Sequence, residues 1–290
     1  IAYGKVEKIN LKSSDRVDAP CPVFDRCGGC DIQHMNYAAQ LEFKKQTVSA
    51  ALKKIGGIEA EVNNCVPCER QFRYRNKLSL PIGVGKNGET VCGFYARHSH
   101  RIVETDDCLI QSEWVKTVIA AIKKFAKLQH ITGYNEETGE GTLRRIVVRE
   151  IKNKFIFALV AVKKIDCGKL IAILEENFND FTFLLNVNSS KNNTIFSKEW
   201  HICRGFGFFE AEDGGIKYKA GANTFLQVND DVRVKLYEQA LKEADSEAVA
   251  LDLYSGGGML TAMLAKKCEK AYGIEIVEEA SRCADELKKA

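Results

Sequence analysis

The sequence predicts a two-part fold: an α+β central domain with a mostly antiparallel sheet, followed by the incomplete start of an α/β, Rossmann-like unit. Between about residues 72 and 220, strand-length apolar runs follow one another with turn residues between them, the grammar of hairpins rather than of βαβ units. From Val249 the order becomes strand, glycine turn, helix, strand, helix, which is how a doubly wound parallel sheet begins. One βαβ unit cannot cover both faces of a parallel sheet, so this unit is expected to be unfinished at Ala290.

The elements follow in order. Residues 1–14 hold a strand-like piece, Ala2 to Leu11, read as the end of an upstream part. Residues 15–34 read as loop, with two prolines, Gly28, Gly29 and three cysteines. Over 37–55, Leu41, Val48, Leu52 and Ile55 recur at helical spacing, and Gly56-Gly57 supplies a stop. KLSLPIG, VCGFYAR and HRIVETD read as a meander with KNGE as a hairpin turn. A helix over 113–128 precedes TLRRIVVREIKNKFIFALVAVKK, a hairpin turning at Lys152–Lys154, and a helix over 167–178 leads into the strand FTFLLNVN. A helix near 229–243, the strand and turn VALDLYSGGG, a helix over 259–267, the strand AYGIEI and a helix over 278–289 complete the chain.

A 45% hydrophobic and 28% charged composition suits a packed, soluble core. Apolar runs such as Phe155 to Val162 are too short to span a bilayer. The start, IAYGKVEKIN, lacks the apolar stretch of a signal peptide, so a cytoplasmic protein without a membrane partner is expected. A net charge of +3 says little about nucleic acid; its distribution says more. Eleven cysteines, an odd number in a reducing compartment, point to metal or catalytic use rather than to disulfides.

Cys21, Cys27 and Cys30 read C-x5-C-G-G-C. Thiolates suit zinc or an iron–sulfur cluster, and the long first spacing fits poorly with the close pairs of a zinc site. Gly28-Gly29 lets the backbone wrap a larger object. The fourth ligand is assigned to Cys108 in ETDDCLIQ, with the Cys65/Cys68 pair as a competitor. Cys92, Cys167, Cys203, Cys268 and Cys283 read as packing residues.

LDLYSGGGML places Asp252 and Tyr254 at a strand end, then Gly256, Gly257 and Gly258, then a helix. Such glycines admit close approach of a ligand, and Glu275 at the end of the second strand is placed to accept hydrogen bonds from ribose hydroxyls. The third glycine of the dinucleotide fingerprint is replaced by Thr261, and Asp252 suits a cationic sulfonium better than a pyrophosphate. In FRYRNK, Arg73, Arg75 and Lys77 fall on one face of an expected strand, with Phe72 and Tyr74 on the other. With Arg97, His98, His100 and Arg101, and with Arg144, Arg145 and Arg149, they form either a phosphate-tracking surface or an ordinary solvated sheet face.

CPVFDRCGGCDIQH, FRYRNK, GFYARHSH, DDCLIQ, TLRRIVVR, FLQVN and LDLYSGGG occur in this order. From about Cys21 to Ala290 the chain thereby resembles the RNA uracil-C5 methyltransferase family, particularly its iron–sulfur branch acting on large-subunit ribosomal RNA. The resemblance implies residues 1–14 as the tail of a TRAM-like barrel, 15–220 as the central iron–sulfur and RNA-binding domain, and 221–290 as the first part of a class I methyltransferase domain. It implies a 4Fe–4S cluster on Cys21, Cys27, Cys30 and Cys108. It implies S-adenosylmethionine contacts at Gln227, Tyr254 and Glu275, to which the turn adds Gly256 and Gly258, while Arg73, Arg75, Lys77, Arg97, Arg144 and Arg145 are the RNA-binding candidates of the basic stretches. Ser255 stands where the family often has cysteine. The implied reaction adds a cysteine thiolate to C6 of uracil, so that C5 attacks the sulfonium methyl, before a base removes the C5 proton. Neither that cysteine nor its upstream Asp-Pro-Pro motif is matched here, so the chain alone is expected not to turn over. Ribosomal RNA is favoured over transfer RNA, and no obligate protein partner is indicated. Two rivals stand beside this reading: a non-catalytic iron–sulfur module that binds RNA or ribosomes, and a nicotinamide-dependent oxidoreductase, against which the missing third glycine counts.

Overall fold

Strands buried on both faces build the centre of the protein. In a computed structural model describing residues 6–289, the elements in chain order are α1 (Tyr37–Lys54), β1 (Lys77–Val84), β2 (Thr90–Tyr95), β3 (Ile102–Glu104), α2 (Val115–Gln129), β4 (Leu143–Ile151), β5 (Lys154–Ala161), α3 (Gly168–Glu175) and β6 (Phe181–Val187). They continue with β7 (Trp200–Arg204), β8 (Phe208–Asp213), β9 (Ile216–Gly221), α4 (Asp230–Lys242), β10 (Val249–Leu253), α5 (Met259–Lys267), β11 (Lys270–Ile274) and α6 (Glu278–Lys289). Seven strands form one sheet in the order β3-β2-β1-β4-β5-β6-β7.

The pairs β1–β2, β1–β4, β4–β5 and β6–β7 are antiparallel, and β5–β6 is parallel. Connection length explains the difference: α3 crosses over between β5 and β6, as a parallel pair requires. Lys152 and Asn153, at φ 48° and 64°, make the tight β4–β5 turn whose twist matches the strands.

Alternate residues serve two cores. Leu78, Leu80, Ile146, Val148, Phe157, Leu159, Phe183 and Leu185 face Ile119, Ile122 and Phe125 of α2 and Leu170 and Leu174 of α3. The intervening Val147, Ile151, Ile156, Ala158 and Leu184 meet Ile216, Tyr218 and Ala220 of β9 and Met259 and Met263 of α5. Burial on both faces is why these strands read as nearly continuous apolar runs. The β10–β11 pair is parallel, in register from Val249↔Lys270 to Leu253↔Ile274, with α5 as its crossover. β8 and β9 form a separate antiparallel pair.

The chain divides into two compact units, residues 1–68 with 95–103, and residues 69–94 with 104–290. In the second core, β4–β6 of the large sheet share side-chain packing with β9 and α5, and the glycine-turn region lies in the same unit as the sheet.

Two local expectations change. The strand expected over 72–77 begins only at Lys77, and Arg73 takes a left-handed conformation at φ 58°. Of the strand-like piece expected over Ala2–Leu11, residues 1–5 lie outside the described residues, and 6–11 form no strand. No helix among the described residues is long and apolar enough to cross a membrane.

Candidate functional site

β10 ends in a turn that only unusual backbone angles permit: Tyr254, Gly256 and Gly258 lie at φ 62°, 56° and 81°. A Cβ at Gly258 would stand 2.7 Å from Cβ of Ala284, so glycine is needed there for α6 to approach. Glu275, just after β11, folds back onto the turn. Its carboxylate accepts from the backbone N–H of Val277 at 2.7 Å and of Gly256 at 2.9 Å. These two bonds, Val277 first, hold the carboxyl below the usual range. The Thr261 hydroxyl donates to Asp252 Oδ2 at 2.6 Å, so the residue replacing the third glycine ties α5 to the end of β10. Gly273 makes room for this arrangement, since a Cβ there would meet Ser255 Oγ at 2.8 Å and Thr261 Oγ1 at 2.9 Å.

Beside the turn opens a cleft of about 970 Å³, lined among others by Tyr218, Phe225, Gln227, Tyr237, Asp252, Tyr254 and Gly256. That volume is in the range of small-molecule sites. Tyr254 is 89% exposed. Gln227 reaches the cleft from the FLQVN segment, which is fixed from three sides. Asn76, buried, donates its backbone N–H to the Val228 carbonyl at 2.9 Å and its Nδ2 to the Gln227 carbonyl at 3.2 Å and to Asp230 Oδ1 at 2.9 Å. Arg149, 1% exposed, donates Nη2 to the Thr224 carbonyl at 2.6 Å. Arg233 joins Asp230 at 3.0 Å to Asp213 at 2.5 Å. Asn229 caps α4 by accepting from the Val232 N–H.

The sequence reading named Gln227, Tyr254, Gly256, Gly258 and Glu275; the first three line the cleft, and Gly258 and Glu275 shape the turn beside it. It missed Asn76 and Thr261 as supports. The available signal for Asn76 was an uncharged amide between Arg75 and Lys77.

The basic residues divide. Arg73 makes two bonds of 2.7 Å to Asp107 and donates to the carbonyls of Cys108 at 3.1 Å and Gln111 at 3.2 Å, pinning the DDCLIQ loop. Arg97 donates to the Cys30 carbonyl at 2.8 Å and pairs with Asp31 at 2.7 Å. Arg144 donates to the carbonyls of Asn188 and Ser190 and lies 4.9 Å from the centre of the Tyr134 ring. Arg145 donates to Ser79 Oγ at 3.0 Å. Lys77 stands opposite Arg149 in the β1–β4 register. Its ammonium is pulled down to about 8, first by burial and then by the Arg149 and Arg75 charges.

Cys21, Cys27 and Cys30 share one loop. Its backbone is anchored by the Gly28 N–H to the Tyr95 carbonyl at 2.9 Å, and Gly29 N–H donates to Cys27 Sγ at 3.3 Å. A Cβ on Gly28 would meet the Tyr95 carbonyl oxygen at 3.0 Å. Burial first, with the neighbouring Cys27 and Cys21 adding, raises the Cys30 thiol. Cys108 belongs to the other unit and donates its N–H to Asp107 Oδ1 at 2.7 Å. Among the described residues no three or more His, Cys, Asp or Glu side chains gather as ligands for a metal ion.

Two parallel strands, a glycine turn after the first, an acid near each strand end and a cleft beside the turn together form one α/β unit. The chain belongs to the tRNA (uracil-5-)-methyltransferase family, whose profile matches residues 36–286. It is 38% identical over 287 residues to an uncharacterized RNA methyltransferase of Halalkalibacterium halodurans, covering 96% of this chain and 62% of the relative. To an uncharacterized RNA methyltransferase of Clostridium tetani it is 36% identical over 293 residues, covering 98% and 63%. The chain thus spans less than two thirds of the length of these relatives. It also resembles the crystal structure of Pyrococcus abyssi tRNA (uracil-54, C5)-methyltransferase in complex with S-adenosyl-L-homocysteine, with a TM-score of 0.74 and 28% identity, over 97% of this chain and 64% of that one.

Proposed function

We propose that the protein methylates C5 of a uridine in RNA with S-adenosylmethionine, and that this chain supplies the cofactor site. The observation that carries the proposal is the turn held between Asp252 and Glu275 beside the cleft lined by Gln227 and Tyr254, in a chain of this family. The bound cofactor supplies an electrophilic methyl on a cationic sulfur. Glu275, held ionised by backbone N–H groups, offers acceptors for ribose hydroxyls. Asp252 brings negative charge toward the cationic end, Tyr254 presents an exposed ring, and the Gln227 amide orients the polar part of the ligand. The Pyrococcus abyssi relative, complexed with S-adenosyl-L-homocysteine, supports the choice of cofactor.

The proposal extends to the covalent route, in which a cysteine thiolate adds to C6 of a base drawn from its stack; no residue of this chain is assigned that role. For RNA we assign Arg73, Arg75, Lys77, Arg97, Arg144 and Arg145, with Arg75 and Lys77 foremost. Neither of these two is in an ion pair among the described residues, whereas Arg73, Arg97 and Arg144 also brace the fold. We further assign Cys21, Cys27, Cys30 and Cys108 to a 4Fe–4S cluster with a structural role. Three thiols on one loop, with the Gly29 N–H donating to Cys27 Sγ at 3.3 Å, support this assignment, and a cubane spreads its thiolates over separate irons, more widely than one ion would. Large-subunit ribosomal RNA is the substrate favoured by the cysteine loop.

The test is incubation of the protein with total RNA and methyl-labelled S-adenosylmethionine, followed by separation of RNA classes and digestion to nucleosides. Label in 5-methyluridine supports the reading, and label in another nucleoside sinks it. Label confined to transfer RNA removes the ribosomal assignment alone. Anaerobic quantitation near four irons and four sulfides per chain supports the cluster; stoichiometric zinc contradicts it.

A further inference from the structure

We propose that Arg233 is a positioning residue that locks two walls of the cofactor cleft together, a role that rests on the cofactor reading given above. One wall carries Tyr218 of β9 and the other Gln227 of the FLQVN segment; both line the cleft. Hydrogen bonds run from one to the other without a gap. The Tyr218 hydroxyl donates to Asp213 Oδ2 at 2.7 Å, and Arg233 Nη1 donates to the same oxygen at 2.5 Å. Arg233 Nη2 donates at 3.0 Å to Asp230 Oδ1, which also accepts from Asn76 Nδ2 at 2.9 Å. Asn76 Nδ2 donates in turn to the Gln227 carbonyl at 3.2 Å.

Local periodicity places the members of this chain. In the β8–β9 pair Ala211 stands opposite Tyr218 and Asp213 opposite Ile216, so alternation puts Asp213 and Tyr218 on one face. Gly214 and Gly215, at φ 55° and 74°, make the tight turn between the strands. Asp230 and Arg233 are three residues apart in the first turn of α4, a spacing at which side chains meet. The junction is shielded from water: Tyr218 and Asn76 are buried, and the Arg233 side chain is 10% exposed. Burial first, and then the bond to Asp213, raise the Tyr218 hydroxyl, which therefore stays a donor.

A guanidinium suits the junction because its planar fork serves two carboxylates at once, whereas an ammonium on a flexible stem fixes neither direction. Each wall has other anchors. Lys152 donates to the Glu212 carbonyl and Lys266 to the Gly215 carbonyl, both at 2.7 Å, and the Asn76 N–H holds the Val228 carbonyl. Arg233 adds the link between the walls and so sets the gap that a ligand must bridge. A preset gap lowers the ordering cost of binding. Cutting the chain at either end releases the same restraint, so two cuts cost less than the product of their separate effects.

The experiment measures S-adenosylhomocysteine affinity by isothermal titration for the wild type, Arg233→Met, Tyr218→Phe, Asn76→Ala and the double variant of the last two. Arg233→Met is expected to bind about tenfold more weakly. Asn76→Ala is expected to cost roughly tenfold in the wild-type background and less than about threefold in the Tyr218→Phe background. A brace that served only the fold would lower unfolding midpoints and leave the two losses independent. Losses that multiply in the double variant, or wild-type affinity in Arg233→Met, overturn the proposal. The cycle decides the matter even where Arg233→Met does not fold. Absence of binding by the wild type sinks the cofactor reading and this inference together, whereas wild-type binding with multiplied losses sinks this inference alone.

Discussion

Replacing Lys77 by methionine is expected to stabilise the protein, although it removes a charge from the proposed RNA surface. Lys77 opens β1 opposite Arg149 and near Arg75, and no carboxylate pairs with it among the described residues. Its ammonium sits at about 8 against an ordinary 10.5. At 1.36 kcal/mol per pH unit this gap sets an upper limit of about 3 kcal/mol, and partial exposure reduces the figure to about 1–2 kcal/mol. The folded state binds this proton more weakly than the unfolded chain, so below pH 8 the charge is carried into the fold at full cost. Stability gains from its loss as pH rises from about 8 toward 10.5. Methionine keeps the aliphatic stem and deletes the charge. Urea unfolding followed by circular dichroism should therefore show the variant more stable by about 1–2 kcal/mol at pH 7, with the advantage shrinking toward pH 10. A less stable variant at pH 7, or an advantage independent of pH, would refute the reasoning.

Two further outcomes follow from the supports of the site. Arg73→Ala leaves Asp107 and the carbonyls of Cys108 and Gln111 without their guanidinium; a loss of about 2–4 kcal/mol is expected in urea unfolding, and less than about 0.5 kcal/mol would show the loop to be held otherwise. Asn76→Ala removes the side-chain donor to the Gln227 carbonyl and Asp230; S-adenosylhomocysteine affinity measured by calorimetry should fall roughly tenfold, about 1.4 kcal/mol, while unchanged affinity would free the FLQVN segment from this support.

Much of this was legible in the sequence. The hairpins of the large sheet were visible because burial on both faces leaves long apolar runs, and the helices over 259–267 and 278–289 occur where the glycine turn and charge pattern place them. FRYRNK was not legible: alternating aromatic and basic residues imitate a strand, yet Arg73 and Arg75 bond through their backbones to Leu109 and Ile110, and Asn76 to Val228. These partners are remote in sequence and carry no local signal. β8 and β9 were obscured by polar alternation, since only Ile216, Tyr218 and Ala220 of β9 are buried. The two-unit division joins residues 95–103 to the first 68, a discontinuity that composition does not show. At the site, residue types in the glycine turn announced a cofactor, whereas the bracing by Asn76, Arg149 and Thr261 depends on contacts between separate elements.

The most direct test of the cofactor site is isothermal titration of the protein with S-adenosylhomocysteine, beside Glu275→Ala and thermal unfolding of both. Saturable one-to-one binding is expected, weakening at least about tenfold in the variant, whose unfolding midpoint without ligand falls only slightly as the Gly256 and Val277 N–H groups lose their acceptor. Absence of binding, or binding indifferent to Glu275, would contradict it.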